Sequence, residues 1–169
     1  SYCPHCKHIL SWQDLIPIFS FLILKGKCRY CKEKISMQYP LVELTTAILF
    51  ILVLNYTHSN LLVTGYLLLV TSLLIIIFVY DLKHYLIPDK VIYPAIVSTL
   101  IFNFQFLIFK QFPIFKSAIL SSLGATIFFL LIFLISRGKW MGFGDVKLVF
   151  FMGLFLGFPK NLVSLFFAY

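Results

Sequence analysis

Hydrophobic and polar positions in this chain separate into long blocks. A polar segment over residues 1–34 is followed by apolar runs at about 40–56, 61–80, 91–109, 117–135 and 143–158, and a sixth begins near residue 161. A helix needs about 20 apolar residues to cross a bilayer, with a range near 17–25. The first four runs have roughly that length. The pattern predicts an all-α fold, a polytopic bundle of transmembrane helices with a small cysteine-rich head. The head is expected over residues 1–38 and the membrane domain over 39–169. Further spans are expected beyond both ends, because the first residue is Ser1 and Tyr169 falls inside an apolar run.

The breaks between runs predict the connections. No formal charge lies between Glu43 and Asp81, and Asn55–Asn60 is the polar break there, read as a tight loop between antiparallel spans. Pro113 marks the loop between the third and fourth spans, and Pro159 ends the fifth run. The fifth run is short and contains Gly142, Gly144, Gly153 and Gly157, a density that lets helices approach closely. No internal repeat or low-complexity linker is visible.

Composition strengthens the membrane assignment. Hydrophobic residues make up 61% of the 169 and charged residues 12%, with a mean hydropathy of +0.99. A soluble domain carries about a quarter charged residues. The net charge of +8 does not indicate nucleic acid, because the basic residues are spread through loops and form no stripe. If the head lies inside, the segments 1–34, 81–90 and 136–147 share that side and hold eleven of the fourteen Lys and Arg residues. That bias obeys the positive-inside rule and puts Asp81 and Asp145 on one, cytoplasmic, face.

Four cysteines stand in two pairs, Cys3-Pro4-His5-Cys6 and Cys28-Arg29-Tyr30-Cys31, with twenty-one residues between them. A Cys-x-x-Cys turn offers two thiolates on one side of a loop, and two such turns make the tetrahedron of a structural zinc site. A cytoplasmic location disfavours the alternative, a pair of disulfides. His5 and His8 are left spare by complete four-cysteine ligation. The apolar stretch Ile18–Leu24 is too short to span and is expected at the interface, with Trp12 at headgroup depth.

The six carboxylates are Asp14, Glu33, Glu43, Asp81, Asp89 and Asp145. Acids are costly in a membrane chain and point to function. Asp81 closes an apolar run and Asp145 opens one, in Gly142-Phe143-Gly144-Asp145-Val146-Lys147. Aspartic proteolysis needs two carboxylates that share one proton. Gly142 and Gly144 leave room for the backbone to bend and for substrate to approach. Lys147 is read as a holder of a neighbouring carbonyl or carboxylate, or as an interfacial anchor. The competing reading is that these acids are ordinary helix-end residues. That suits Asp89 as an N-cap, suits Asp145 moderately and suits Asp81 badly, because a helix C-terminus prefers cations. Glu43, just inside the first run, is either functional or an interfacial side chain reaching for water.

The paired Cys-x-x-Cys head, Ile35-Ser36 with Tyr39-Pro40-Leu41-Val42-Glu43, the segment from Asp81 to Ile87-Pro88-Asp89, and Gly142 to Lys147 together resemble type IV prepilin peptidases, in the same order. The resemblance implies a bacterial cytoplasmic-membrane enzyme that cuts the leader from prepilins or pseudopilins just after a glycine. It then N-methylates the new terminus with S-adenosylmethionine. Asp81 and Asp145 become the catalytic pair, and Glu43 a candidate for the methyl transfer. Two other readings stand beside it. One is an intramembrane aspartic peptidase of the presenilin or signal peptide peptidase kind, opposed by the cysteine head and by the absence of a Pro-Ala-Leu triplet. The other is a non-enzymatic, zinc-headed membrane assembly factor.

Overall fold

The computed structural model describes residues 2–3, 5–57, 60–108 and 112–168. A short 3₁₀ turn, Trp12–Leu15, precedes α1 (Phe19–Ile23), α2 (Gln38–Thr57), α3 (Leu61–His84), α4 (Asp89–Ile108), α5 (Phe112–Ser136), α6 (Phe143–Leu156) and α7 (Lys160–Ala168). Among the described residues the extended pairing amounts to two isolated bridges, Tyr2 with Ile9 and Lys27 with Lys34. The all-α expectation holds.

Three helices among the described residues are long and apolar enough to cross a membrane: α2, α3 and Lys116–Ser136 within α5. Four runs had been expected to have that length; the run at about 91–109 extends past Ile108, and residues 109–111 lie outside the described residues. Helix α4 within it carries two buried polar residues. Thr99 and Asn103 are buried, and they face protein. The Tyr66 hydroxyl donates to Thr99 Oγ1 at 3.1 Å, and Asn103 Nδ2 donates to the carbonyls of Thr99 and Leu154, each at 3.0 Å. Buried polar groups are tolerated where they are paired.

Helix ends differ from the sequence pattern elsewhere too. α2 continues to Thr57 and α3 begins at Leu61, so the break expected over Asn55–Asn60 is shorter. Its residues 58 and 59, like Lys110 and Tyr169, lie outside the described residues. Pro113, expected in a loop, falls in the first turn of α5, where its missing N–H leaves no helical bond unmade.

The chain divides into two compact units, Ser1–Thr64 and Gly65–Tyr169. In the first, each cysteine pair sits in the same backbone turn. Cys3 N donates to His8 O and Lys7 N to Cys3 O, at 3.0 and 2.8 Å; Cys28 N donates to Glu33 O and Lys32 N to Cys28 O, at 2.8 and 3.0 Å. Lys7 and Lys32, at the matching position, both adopt positive φ, 55° and 58°. The head is therefore a small structural repeat that the sequence reading missed, although Cys-x-x-Cys-Lys occurs in both halves.

In the second unit α6 packs against α5, α4 and α7. Val70, Ile77, Ile92, Ala95 and Phe151 form one buried cluster, and Phe129, Met141 and Val149 another. The close approach of α6 to α5 depends on Gly153. A Cβ there would collide with Ser122 Cα and stand 2.8 Å from Ser122 Cβ and 2.9 Å from its nitrogen. Gly65 and Gly124, by contrast, face open space. Gly153→Ala should lower stability by about 1–3 kcal/mol through overpacking, whereas Gly65→Ala and Gly124→Ala should leave it equal or slightly higher. Thermal unfolding of the three variants in detergent micelles checks the contrast.

Candidate active site and metal centre

Asp81 lies in the last turn of α3, which runs on to His84, so it is a helical residue and not the start of a loop. The turn closes where Tyr85 N donates to Asp81 O at 2.7 Å. The Asp81 side chain is exposed. Asp145 is the third residue of α6, after the cap residue Gly142. Gly142 N donates to Asp145 Oδ2 at 3.1 Å and Asp145 N donates to Gly142 O at 3.2 Å. This reciprocal arrangement satisfies the free N–H groups of a helix start and occupies one carboxylate oxygen.

Asp145 is half-buried at the mouth of α6. Its pKa is raised above the ordinary carboxylate value. Burial is the largest cause, the Gly142 N–H opposes it, and the negative charge of Asp81 adds to it. The two carboxylates are thus within electrostatic reach of each other.

Gly144 is needed for a reason other than backbone bending. A Cβ there would stand 2.9 Å from Ile87 Cβ, so the glycine lets the α3–α4 connection lie against α6. Lys147, one turn further on, donates from Nζ to Asp89 Oδ1 at 2.5 Å, with the ammonium 5.0 Å from the ring centroids of both Tyr93 and Phe143. Asp89, expected as an N-cap, is instead the first helical residue of α4, behind Pro88, whose carbonyl accepts from Val91 N and Ile92 N. The bond to Asp89 is the main influence holding Lys147 cationic, with its pKa raised. No pattern within either segment alone signals a pair formed across 58 positions.

The ion pairs among the described residues sort the acids. Asp14 binds Arg29 at 2.7 Å and Asp89 binds Lys147, while neither Asp81 nor Asp145 has a cationic partner at that range. Asp14 also accepts from Ser11 N and Oγ at 3.3 and 2.9 Å, which ties the 3₁₀ turn to the second cysteine turn through Arg29.

The four cysteine sulfurs lie within 4.8 Å of one another, and Cys3 Sγ is 3.8 Å from Cys31 Sγ. Zinc–sulfur bonds of about 2.3 Å give a tetrahedron edge of about 3.8 Å, so the site suits such an ion. All four are free thiols, with Cys3 and Cys28 buried. Backbone N–H groups of Cys6 and His5 pull the Cys3 thiol down to about 6 against desolvation. A backbone hydrogen bond from Glu33 favours the Cys31 thiolate, but desolvation and the sulfurs of Cys28, Cys6 and Cys3 outweigh it and push Cys31 up to about 12. Four sulfurs this crowded do not ionise together without a cation to bind. The His8 ring lies tilted against Tyr30, with centroids 3.7 Å apart, and is not needed as a ligand.

Glu43, near the start of α2, accepts from Ile18 N at 2.8 Å. Ile18 has φ 61° and ψ −50°, and Phe19 N donates to Pro17 O at 2.5 Å. That is a γ-turn with positive φ, strained for a β-branched residue. Glu43 therefore holds a turn of the head onto α2, a contact the sequence did not suggest. A cavity of about 520 Å³ opens beside it, lined by Tyr2, Cys28, Arg29, Tyr39 and Glu43 among others.

Comparison with known proteins covers nearly the whole chain. The model described as "Bacterial Peptidase A24 N-terminal domain" matches residues 1–57, and the "Type IV leader peptidase family" model matches residues 68–169. A prepilin leader peptidase/N-methyltransferase of Klebsiella pneumoniae is 34% identical over 166 residues, covering 96% of this chain and 72% of the relative. One from Neisseria gonorrhoeae is 38% identical over 172 residues, 98% of this chain and 58% of the relative. One from Pectobacterium carotovorum subsp. carotovorum is 32% identical over 169 residues, 96% and 59%. The chain thus spans about three-fifths to three-quarters of these relatives. No solved structure matches it.

The metal centre generates one prediction. Protein purified without oxidation should carry about one zinc per chain, as a single four-cysteine site requires. Replacing Cys28 and Cys31 by Ser should reduce the metal content, read by elemental analysis, to background.

Proposed function

The chain belongs to the type IV leader peptidase family, and from that premise we propose that it is a membrane aspartic endopeptidase that cuts the leader from type IV prepilins or pseudopilins. What supports this reading is the placement of Asp81 in the last turn of α3 and Asp145 in the first turn of α6, where the charge of Asp81 bears on Asp145. Both lack a cationic partner among the described residues, and the charge of one raises the pKa of the other. Burial favours Asp145 as the protonated member, which hydrogen-bonds the scissile carbonyl. Ionised Asp81 takes a proton from water, whose oxygen attacks the carbonyl carbon. That proton then passes to the amine nitrogen as the C–N bond breaks.

The surroundings serve the same chemistry. Gly142 caps α6, Gly144 admits Ile87 beside it, and Lys147 anchors its first turns to Asp89. Eleven of fourteen basic residues in 1–34, 81–90 and 136–147 support an active site on the cytoplasmic face of a bacterial plasma membrane. The partners are the pilin-type substrate and the lipid bilayer, with no nucleic acid. Zinc in the four-cysteine site is structural, because complete protein ligation leaves no open position.

A second activity, N-methylation of the newly exposed terminus, belongs to the first unit. S-adenosylmethionine would supply the methyl group. A cavity of about 520 Å³, lined by Tyr2, Tyr39 and Glu43 beside Arg29 and Lys34, has room for a ligand of that size, and Glu43 stands on its wall.

Two outcomes follow. Asp81→Asn and Asp145→Asn should each reduce leader cleavage by about 10²- to 10⁴-fold in protein that stays folded in membranes. Near-normal cleavage by Asp81→Asn would remove that residue from the mechanism. On pre-cleaved pilin, transfer of labelled methyl groups should survive Asp145→Asn and should fall in Glu43→Gln more than cleavage does. Loss of both activities in well-folded Asp145→Asn would refute separate sites.

A further inference from the structure

Asp81 and Asp145 are separated by more than sixty residues of chain, and each sits at the end of a different helix. Their separation is therefore a matter of how the end of α3 and the start of α6 are held together. Two contacts join these ends. Ile87 lies against Gly144, and Asp89 Oδ1 accepts from Lys147 Nζ at 2.5 Å. The intervening turn is short: Tyr85 N bonds back to Asp81 O, and Pro88 O caps α4. A displacement of Asp89 is thus transmitted to Asp81 through eight residues, and a displacement of Lys147 to Asp145 through less than one helical turn.

The two side chains are shielded unequally, with Lys147 15% and Asp89 60% exposed. An ion pair so open to water adds little stability. Lys147 is nevertheless held between the Tyr93 and Phe143 rings, so its ammonium has little freedom. A pair that contributes little energy but is geometrically confined suits the fixing of position.

We propose that Asp89 and Lys147 form a positioning clamp that sets the separation of Asp81 and Asp145. The clamp rests on the reading of those two aspartates as the reacting pair. Neither Asp89 nor Lys147 touches substrate in this role; both act through the carboxylates. The charged and titratable groups around the clamp are Asp81, Lys83 and His84 at the end of α3, Lys90 and Tyr93 on α4, and Asp145 on α6.

The test is a double-mutant cycle on leader cleavage. Asp89→Asn and Lys147→Gln should each lower kcat by about 10- to 100-fold, the scale of a misplacement near 1 Å, with KM nearly unchanged. The double variant should be no worse than the poorer single one, because both changes remove one interaction. The two limbs of the pH profile should also move towards each other in each variant, since coupling between carboxylates weakens as they separate. Loss of folded protein alone would scale the rate and leave the limbs in place. Normal kcat in Asp89→Asn, additive losses, or unmoved limbs would each overturn the clamp.

A second arm does not depend on activity. Cysteines replacing Asp81 and Asp145 should cross-link under mild oxidation, read by peptide mapping. Adding Lys147→Gln should reduce that yield several-fold. Unchanged cross-linking would overturn the clamp even if no variant cleaves. Wild-type protein that never cleaves, with cross-linking that depends on Lys147, would uphold the clamp and refute the peptidase reading instead.

Discussion

The backbone contact between α6 and α5 is the constraint on which the second unit depends. Gly153 lets α6 lie against Ser122 with no side chain between them. Close approach of this kind drives helix association in lipid, where apolar surface gains nothing from leaving a solvent that is itself apolar. Once α6 is seated, its buried residues Val146, Val149, Phe151 and Leu154 fill the space between neighbours, and Asn103 on α4 reaches the Leu154 carbonyl. The first turn of α6 is then fixed beside the α3–α4 connection, where Gly144 admits Ile87. Two glycines nine residues apart thus act at different levels, one on packing and one on the site.

The first unit relies on a different device. It is small and exposes Tyr2, Ile9, Trp12, Phe19, Leu22 and Ile23, so it has little apolar core of its own. Small units of this kind need covalent or metal staples. Here two equivalent turns converge four sulfurs, and the Asp14–Arg29 pair ties the second turn to the 3₁₀ segment. Glu43 completes the arrangement by accepting from Ile18 in its strained turn. That bond gives Glu43 a structural task alongside any chemical one, and Glu43→Gln keeps an acceptor oxygen while removing the charge.

Apolar runs were legible because a bilayer crossing demands length and apolarity together, and both are local properties. The four cysteines were legible for the same reason: their spacing is written in the sequence and converges as expected. What escaped was non-local or depended on shape. The Asp89–Lys147 bond joins helices 58 positions apart. Thr99 and Asn103 on α4 find partners on α3 and α6, at Tyr66 and the Leu154 carbonyl. Gly144 was read as a source of backbone freedom, yet its neighbour is Ile87, and only packing discloses that. The equivalence of the two cysteine turns rests on hydrogen bonds around Lys7 and Lys32, for which Cys-x-x-Cys-Lys gave a faint signal.

Ion pairing among the described residues separates Asp14 and Asp89 from Asp81 and Asp145. Of the six acids, those withdrawn from water bear a desolvation cost, which is offset where a cation or an N–H is supplied. Asp14 and Asp89 have Arg29 and Lys147, and Glu43 has the Ile18 N–H. Asp145 has a single backbone donor and sits at the favourable, positive end of α6. Asp81 stands at the C-terminal end of α3, where the helix field disfavours a negative charge. The Lys147 ammonium, two residues beyond Asp145, is bound to Asp89. Carboxyls left without a cation share a proton when they approach each other, and in the proposed clamp Asp89 also keeps the Lys147 charge occupied.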